Sequence, residues 1–145
     1  MNQLKEKKLN NKGFSLVELI IVIAIMAVLI GVLAPQYMRY VEKSRLAKDN
    51  DIVDSVKTAV EVALTDNTIY NDVMTAGGAV IAFDDTNGYN ASGVTSLDTE
   101  LGKVVTPANC KLSSKTYSST KPDITVSTSG DNITVTVNNY KESPN

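Results

Sequence analysis

Histidine is absent from this sequence of 145 residues, and cysteine occurs once, at Cys110. Without histidine, general-base work falls to carboxylates, lysine or tyrosine. A single cysteine closes no internal disulfide, the staple on which small exported domains often rely, so any such domain here must hold by packing alone. Cys110 itself reads as a small packing residue rather than a reactive thiol. There is no Gly-rich phosphate loop, no Ser-x-x-Lys pair and no metal-spaced Cys/His set. The acids are scattered, so no catalytic residue, metal site or cofactor is expected, and the composition argues against an enzyme. A basic patch is missing too: beyond the first 13 residues, 10 bases stand against 15 acids. Nucleic acid is therefore not an expected partner.

What the chain does have is one long apolar run. From Phe14 to Leu33 there are 20 residues and one charge, Glu18. As a helix such a run extends about 30 Å, the thickness of one hydrocarbon core. The segment before it, Met1–Gly13, is short and basic and looks like the start of an export signal. An ordinary signal peptide is cut after its apolar part; the small residues near Ala34 are followed by Pro35, a poor arrangement for that cut, so the run reads as retained. Basic residues flank the run on both sides, so charge counting leaves its orientation nearly tied. Glu18 sits one turn inside the run. An acid there either snorkels to head groups or faces a partner.

Lys12-Gly13-Phe14-Ser15-Leu16-Val17-Glu18, the run behind it and Pro35 at its end resemble the type IV pilin processing motif. The resemblance covers Lys12 to about Arg45. It implies that a prepilin peptidase cuts between Gly13 and Phe14 and methylates the new amine of Phe14. It implies that Glu18 meets that amine on a neighbouring subunit during assembly. A carboxylate in an apolar filament core needs a cation, and a fresh ammonium is one. Many Gram-negative pilins close their C-terminal region with a disulfide; this sequence departs from that pattern, which fits a Gram-positive, clostridial type.

Past Pro35 the pattern turns amphipathic. Ile52, Val53, Val56, Ala59, Val60, Ala63 and Leu64 follow the i, i+3, i+4, i+7 rule. A nearly continuous helix is predicted from Phe14 to Leu64, about 75 Å long. Gly31 and Pro35 mark either a simple kink or, as the resemblance implies, a point where the helix melts on assembly. The cluster Arg39, Glu42, Lys43, Arg45 and Lys48 reads as a solvated face or a subunit contact. Residues 65–110 form a variable region in which Val80, Ile81 and Phe83 suit a short strand or a helix end. Asp84-Asp85 with Asn87 reads as an exposed turn, because the spacing of a calcium loop is missing. Ser96–Glu100 looks like the start of a short helix stopped by Gly102. Lys111–Tyr117 suits an edge strand. Asp123–Thr128 and Asn132–Asn138 alternate as strands about a Ser129-Gly130-Asp131 turn.

The expected fold is α+β: a long N-terminal helix with a protruding apolar half, packed through its amphipathic half against a small antiparallel sheet. The expected organisation is a cleaved leader 1–13, an apolar membrane or filament-core helix 14–35, and a globular domain 36–145. That domain comprises an amphipathic helix 36–64, the variable region 65–110 and a β-meander 111–140. The expected function is the major subunit of a type IV pilus serving adhesion, twitching motility or biofilm formation. It would be a single-pass membrane protein with a cytoplasmic N-terminus before assembly and an extracellular homopolymer after it. The peptidase, an assembly ATPase and an inner-membrane platform protein are the implied partners. The alternatives are a pseudopilin of a type II secretion or competence system and, in a different class, a membrane-tethered monomeric binding domain.

Overall fold

The computed structural model describes residues 13–142; the expected leader up to Lys12 lies outside the described residues. The chain divides into two units, Met1–Met38 and Arg39–Asn145. Helix α1, Leu16–Ala63, runs 48 residues and contains Pro35 without a break. It starts two residues later and ends one earlier than the periodicity predicts.

In the second unit the apolar stripe of α1 is the floor of the core. Val53, Val56 and Val60 are completely buried, and Ala59 and Ala63 nearly so. They pack with Ile81 and Phe83, and with Ile124 and Val126, from a four-stranded antiparallel sheet. Each fully buried Val or Ile contributes roughly 1.5–3 kcal/mol relative to an exposed one. The sheet consists of β1 (Ala79–Asp84), β2 (Gly88–Ser92), β3 (Asp123–Ser129) and β4 (Asn132–Asn138), in the order β2-β1-β3-β4. Ile81 pairs with Ile124, and Ile124 with Val137, so the aliphatic faces align across three strands.

Residues 65–110 hold more regular structure than the sequence suggests. Helix α2, Asn67–Ala76, was not anticipated. Asp66 caps it, accepting the N–H of Thr68 at 2.7 Å and of Ile69 at 3.4 Å. These bonds favour the ionised form and hold the Asp66 carboxyl below its usual range. Gly77, at φ 77°, ends the helix in the left-handed conformation that glycine adopts freely. Helix α3, Thr95–Val104, passes through Gly102 rather than stopping there. Buried Leu97 and Leu101 hold it on the core, and Gly102 lies on its exposed side. At Gly88 a glycine is obligatory: φ is 96°, and a Cβ would lie 1.7 Å from the Pro107 carbonyl oxygen. The Asp84 turn closes on itself, its carboxylate accepting the N–H of Thr86 and, at 3.2 Å, of Asn87. Among the described residues no group of acids, histidines and cysteines could hold a metal. Cys110 is buried and free, within the core, and burial pushes its thiol pKa up.

Lys111–Tyr117 is not an edge strand, and residues 111–140 supply a hairpin, β3–β4, that β1 joins, rather than a meander. The N–H groups a ladder would need are taken by α1. Asp49, fully buried, accepts the N–H of Ser113 at 2.9 Å and that of Ser114 at 2.7 Å. Glu42 accepts the N–H of Thr116 at 3.1 Å. Asn50 takes the Tyr117 hydroxyl proton at 2.7 Å and donates to the Lys141 carbonyl at 2.9 Å. The Tyr117 oxygen in turn accepts the N–H of Lys141 at 3.0 Å. Glu42, Asp49 and Asn50 thus tie residues 113–117 and the segment after β4 to α1.

Asp49→Ala would take the carboxylate from the Ser113 N–H and from the buried Ser114 N–H and is expected to lower stability by about 2–4 kcal/mol. Asp51→Ala, at an exposed neighbour, is expected to stay within about 0.5 kcal/mol. Urea unfolding of the two full-length variants in detergent checks the difference. A second expectation concerns alkali. Burial raises the Tyr89 phenol to about 12, and its hydroxyl donates to the Val105 carbonyl. The fold favours the protonated phenol, so this contribution is intact below about pH 10, the ordinary phenol value. It is lost as the pH rises from there towards the folded value. Tyr89→Phe should flatten the fall in stability across that window, measured by denaturation at fixed pH steps.

Candidate processing and assembly site

Ser15-Leu16-Val17-Glu18 is a Ser-x-x-Glu sequence, the pattern of a capping box at a helix start. Ser15 precedes the first residue of α1, and Glu18 is the third residue of the helix. The Ser15 N–H donates to Oε2 of Glu18 at 2.8 Å. The acid therefore has a local role that the sequence reading overlooked although its signature is plain. It satisfies one of the backbone donors that a helix start leaves without a partner, and its negative charge suits the positive end of the helix dipole.

That hydrogen bond holds Glu18 in the first helical turn, which follows the expected cut. Gly13 and Phe14 lie immediately before the helix, and Phe14 is 92% exposed. A side chain at Gly13 would meet nothing within 4 Å. The junction between the two residues is thus exposed.

The remainder of the site is the apolar half of α1. An 18-residue window within α1 has a mean hydropathy of 3.1 and is 0% buried, and α1 is the one helix among the described residues long and apolar enough to cross a membrane. Leu16, Ile20, Ile23, Met26, Ile30 and Leu33 are each half-exposed or more. At the far end, Pro35 has no N–H to give the Gly31 carbonyl, so one helical hydrogen bond is missing there. Gly31 has open space around it. Of the cluster after Pro35, Arg39, Lys43, Arg45 and Lys48 are exposed, whereas Glu42 is half-buried and engaged with Thr116.

Comparison with known proteins points the same way. The family model described as the prokaryotic N-terminal methylation motif matches residues 8–34. The type IV major fimbrial protein FimA of Dichelobacter nodosus is 38% identical over 55 residues, 38% of this chain and 35% of that protein. The type IV major alpha-pilin of Moraxella bovis is 43% identical over 53 residues, 37% of this chain and 33% of that protein. The chain thus spans about a third of the length of these relatives. A longer match to another FimA of Dichelobacter nodosus reaches 106 residues at 32% identity, 70% of this chain and 64% of that protein. No solved structure matches significantly.

Backbone amides around residues 31–35 are expected to exchange fastest in the interior of the apolar half when the full chain is held in lipid nanodiscs. Pro35→Ala should restore the missing bond and slow exchange there by up to about 100-fold, the equivalent of the roughly 3 kcal/mol a proline costs inside a helix. Residue-resolved hydrogen exchange checks it.

Proposed function

We propose that the chain is a type IV pilin, the major subunit of a pilus, polymerised through its N-terminal helix. It is a structural protein and not an enzyme. The observation that carries the proposal is the pairing of an apolar helix half left uncovered among the described residues with one acid close to a Gly-Phe junction.

In this reading the chain is stored in the membrane with its N-terminus in the cytoplasm. A prepilin peptidase cuts between Gly13 and Phe14, and the Phe14 amine is methylated. The cut frees an ammonium on the residue next to Ser15, whose N–H already lies against Glu18. A carboxylate among aliphatic side chains is costly unless paired, and a neighbouring subunit's new terminus is the cation available. Helix bundling then covers the surface that leaves the lipid. Gly31 and Pro35, with one helical bond fewer, are where α1 gives way as the subunit enters the filament. An assembly ATPase and a membrane platform protein drive the addition. The filament stands outside the cell and serves adhesion, twitching motility or biofilm formation.

Two variants test this. Gly13→Leu should leave untrimmed chains in the membrane and no filaments; normal trimming of that variant would overturn the cut site. Glu18→Ala should be trimmed yet join filaments poorly when it is the sole pilin. Wild-type filament yield from Glu18→Ala would overturn the pairing. Mass spectrometry of the N-terminal peptide and filament yield after shearing read both.

A further inference from the structure

The stretch Arg39–Asn50 has four cations and two acids in its sequence, Glu42 and Asp49 being the acids. The fold separates them. Asp49 is fully buried against Ser113 and Ser114, and Glu42 is turned to the N–H of Thr116. Arg39, Lys43, Arg45 and Lys48 all remain exposed. The ion pairs among the described residues are Lys57–Glu61, Lys103–Glu100 and Lys121–Asp85, so none of the four is matched there. A stretch that is mixed on paper presents one sign of charge.

The arrangement of the four cations matters as much as their number. At about 100° per residue they fall near 0°, 40°, 240° and 180° around the helix axis. Leu46, Asp49 and Asn50 are buried against the rest of the chain, so the cations flank that covered side and spread over the open remainder of the helix. The cations directly follow the apolar run in the chain, and Tyr40, 69% exposed, stands among them. Tyrosine and long basic side chains with apolar stems are the residues that favour the head-group layer. Under the proposed orientation they face the outer side of the membrane, where the usual charge bias gives no reason for them.

We propose that Arg39, Lys43, Arg45 and Lys48 form a collar that binds the phosphates of anionic lipid head groups while the subunit waits in the membrane. This rests on the membrane-stored state proposed above. The collar holds the subunit at a fixed depth, and assembly must strip the lipids from it. The head-group layer is about 5–8 Å thick on each side. Lys43 lies about 6 Å and Lys48 about 13.5 Å along the axis from Arg39. Contact should therefore be strongest at Arg39 and Lys43 and weaker at Lys48.

The test uses the full chain reconstituted in vesicles of phosphatidylcholine alone or with phosphatidylglycerol. Acetylation of each lysine by an activated ester is followed by mass spectrometry, with Lys103 in α3 as the reference. Phosphatidylglycerol should slow Lys43 about fivefold, the factor expected for one basic group at an anionic surface. Lys48 should slow less and Lys103 not at all. High salt, which shortens the screening length to about 3 Å at 1 M, should abolish the difference. Arg39→Gln with Arg45→Gln should weaken the protection of Lys43. Equal rates in the two lipids would overturn the collar. Slowing that follows protein density in both lipids alike would assign the cations to a neighbouring copy and overturn it too. A chain that alkaline extraction strips from the vesicles overturns the membrane-stored state and the collar with it. A chain that stays but shows no protection overturns the collar alone.

Discussion

The apolar half of α1 finds no cover among the described residues. At roughly 25 cal/mol per Å² of apolar surface, a bare helix of this kind is not stable in water. It must be in lipid or against other copies of itself. Leaving lipid for a filament exchanges one apolar environment for another, so the difference between the two states lies in packing and in polar groups rather than in gross hydrophobicity. Glu18 is the polar group in question. It caps its own helix through Ser15; under the proposed function the same carboxylate pairs with a neighbouring subunit's new terminus.

The second unit solves a separate problem. It has one free cysteine, so no covalent staple limits its unfolding. Its stability rests on the α1 stripe packed against the sheet, and its C-terminal third is tied down by polar side chains of α1. Asp49 and Asn50 are spaced with Leu46 and Val53 as further members of the apolar stripe, yet they are polar and buried. Each of their hydrogen bonds reaches a residue more than 60 positions away in sequence. The same tie engages Glu42 and buries Asp49, and leaves Arg39, Lys43, Arg45 and Lys48 unmatched among the described residues, so one arrangement both closes the domain and sets the charge on this stretch of the helix.

Much of this was legible in the sequence because it is periodic. The run Phe14–Leu33, the stripe Ile52–Leu64 and the alternation of Ile124 with Val126 specify a helix, a helix face and a strand from local pattern alone. What stayed hidden depends on distant partners. Lys111–Tyr117 reads as a strand by composition, but its N–H groups meet Asp49 and Glu42, a pairing no local window contains. Asp49 and Asn50 look like the end of the stripe rather than its polar continuation. Helix α2 was missed although Asp66 and Gly77 bracket it, because its ten residues bury two apolar side chains, Ile69 and Val73, too few for a clear period. At the candidate processing site the Gly-Phe junction and Glu18 were visible as a motif, whereas the hydrogen bond from Ser15 needed coordinates.

The central claim is that copies of this chain cover one another's apolar helices. A photo-crosslinking side chain placed at Val22, in filaments sheared free of membrane, tests it most directly. The account expects adducts between two subunits, joined within residues 14–35. Lipid adducts alone, on chains that never yield a crosslinked pair, would contradict it.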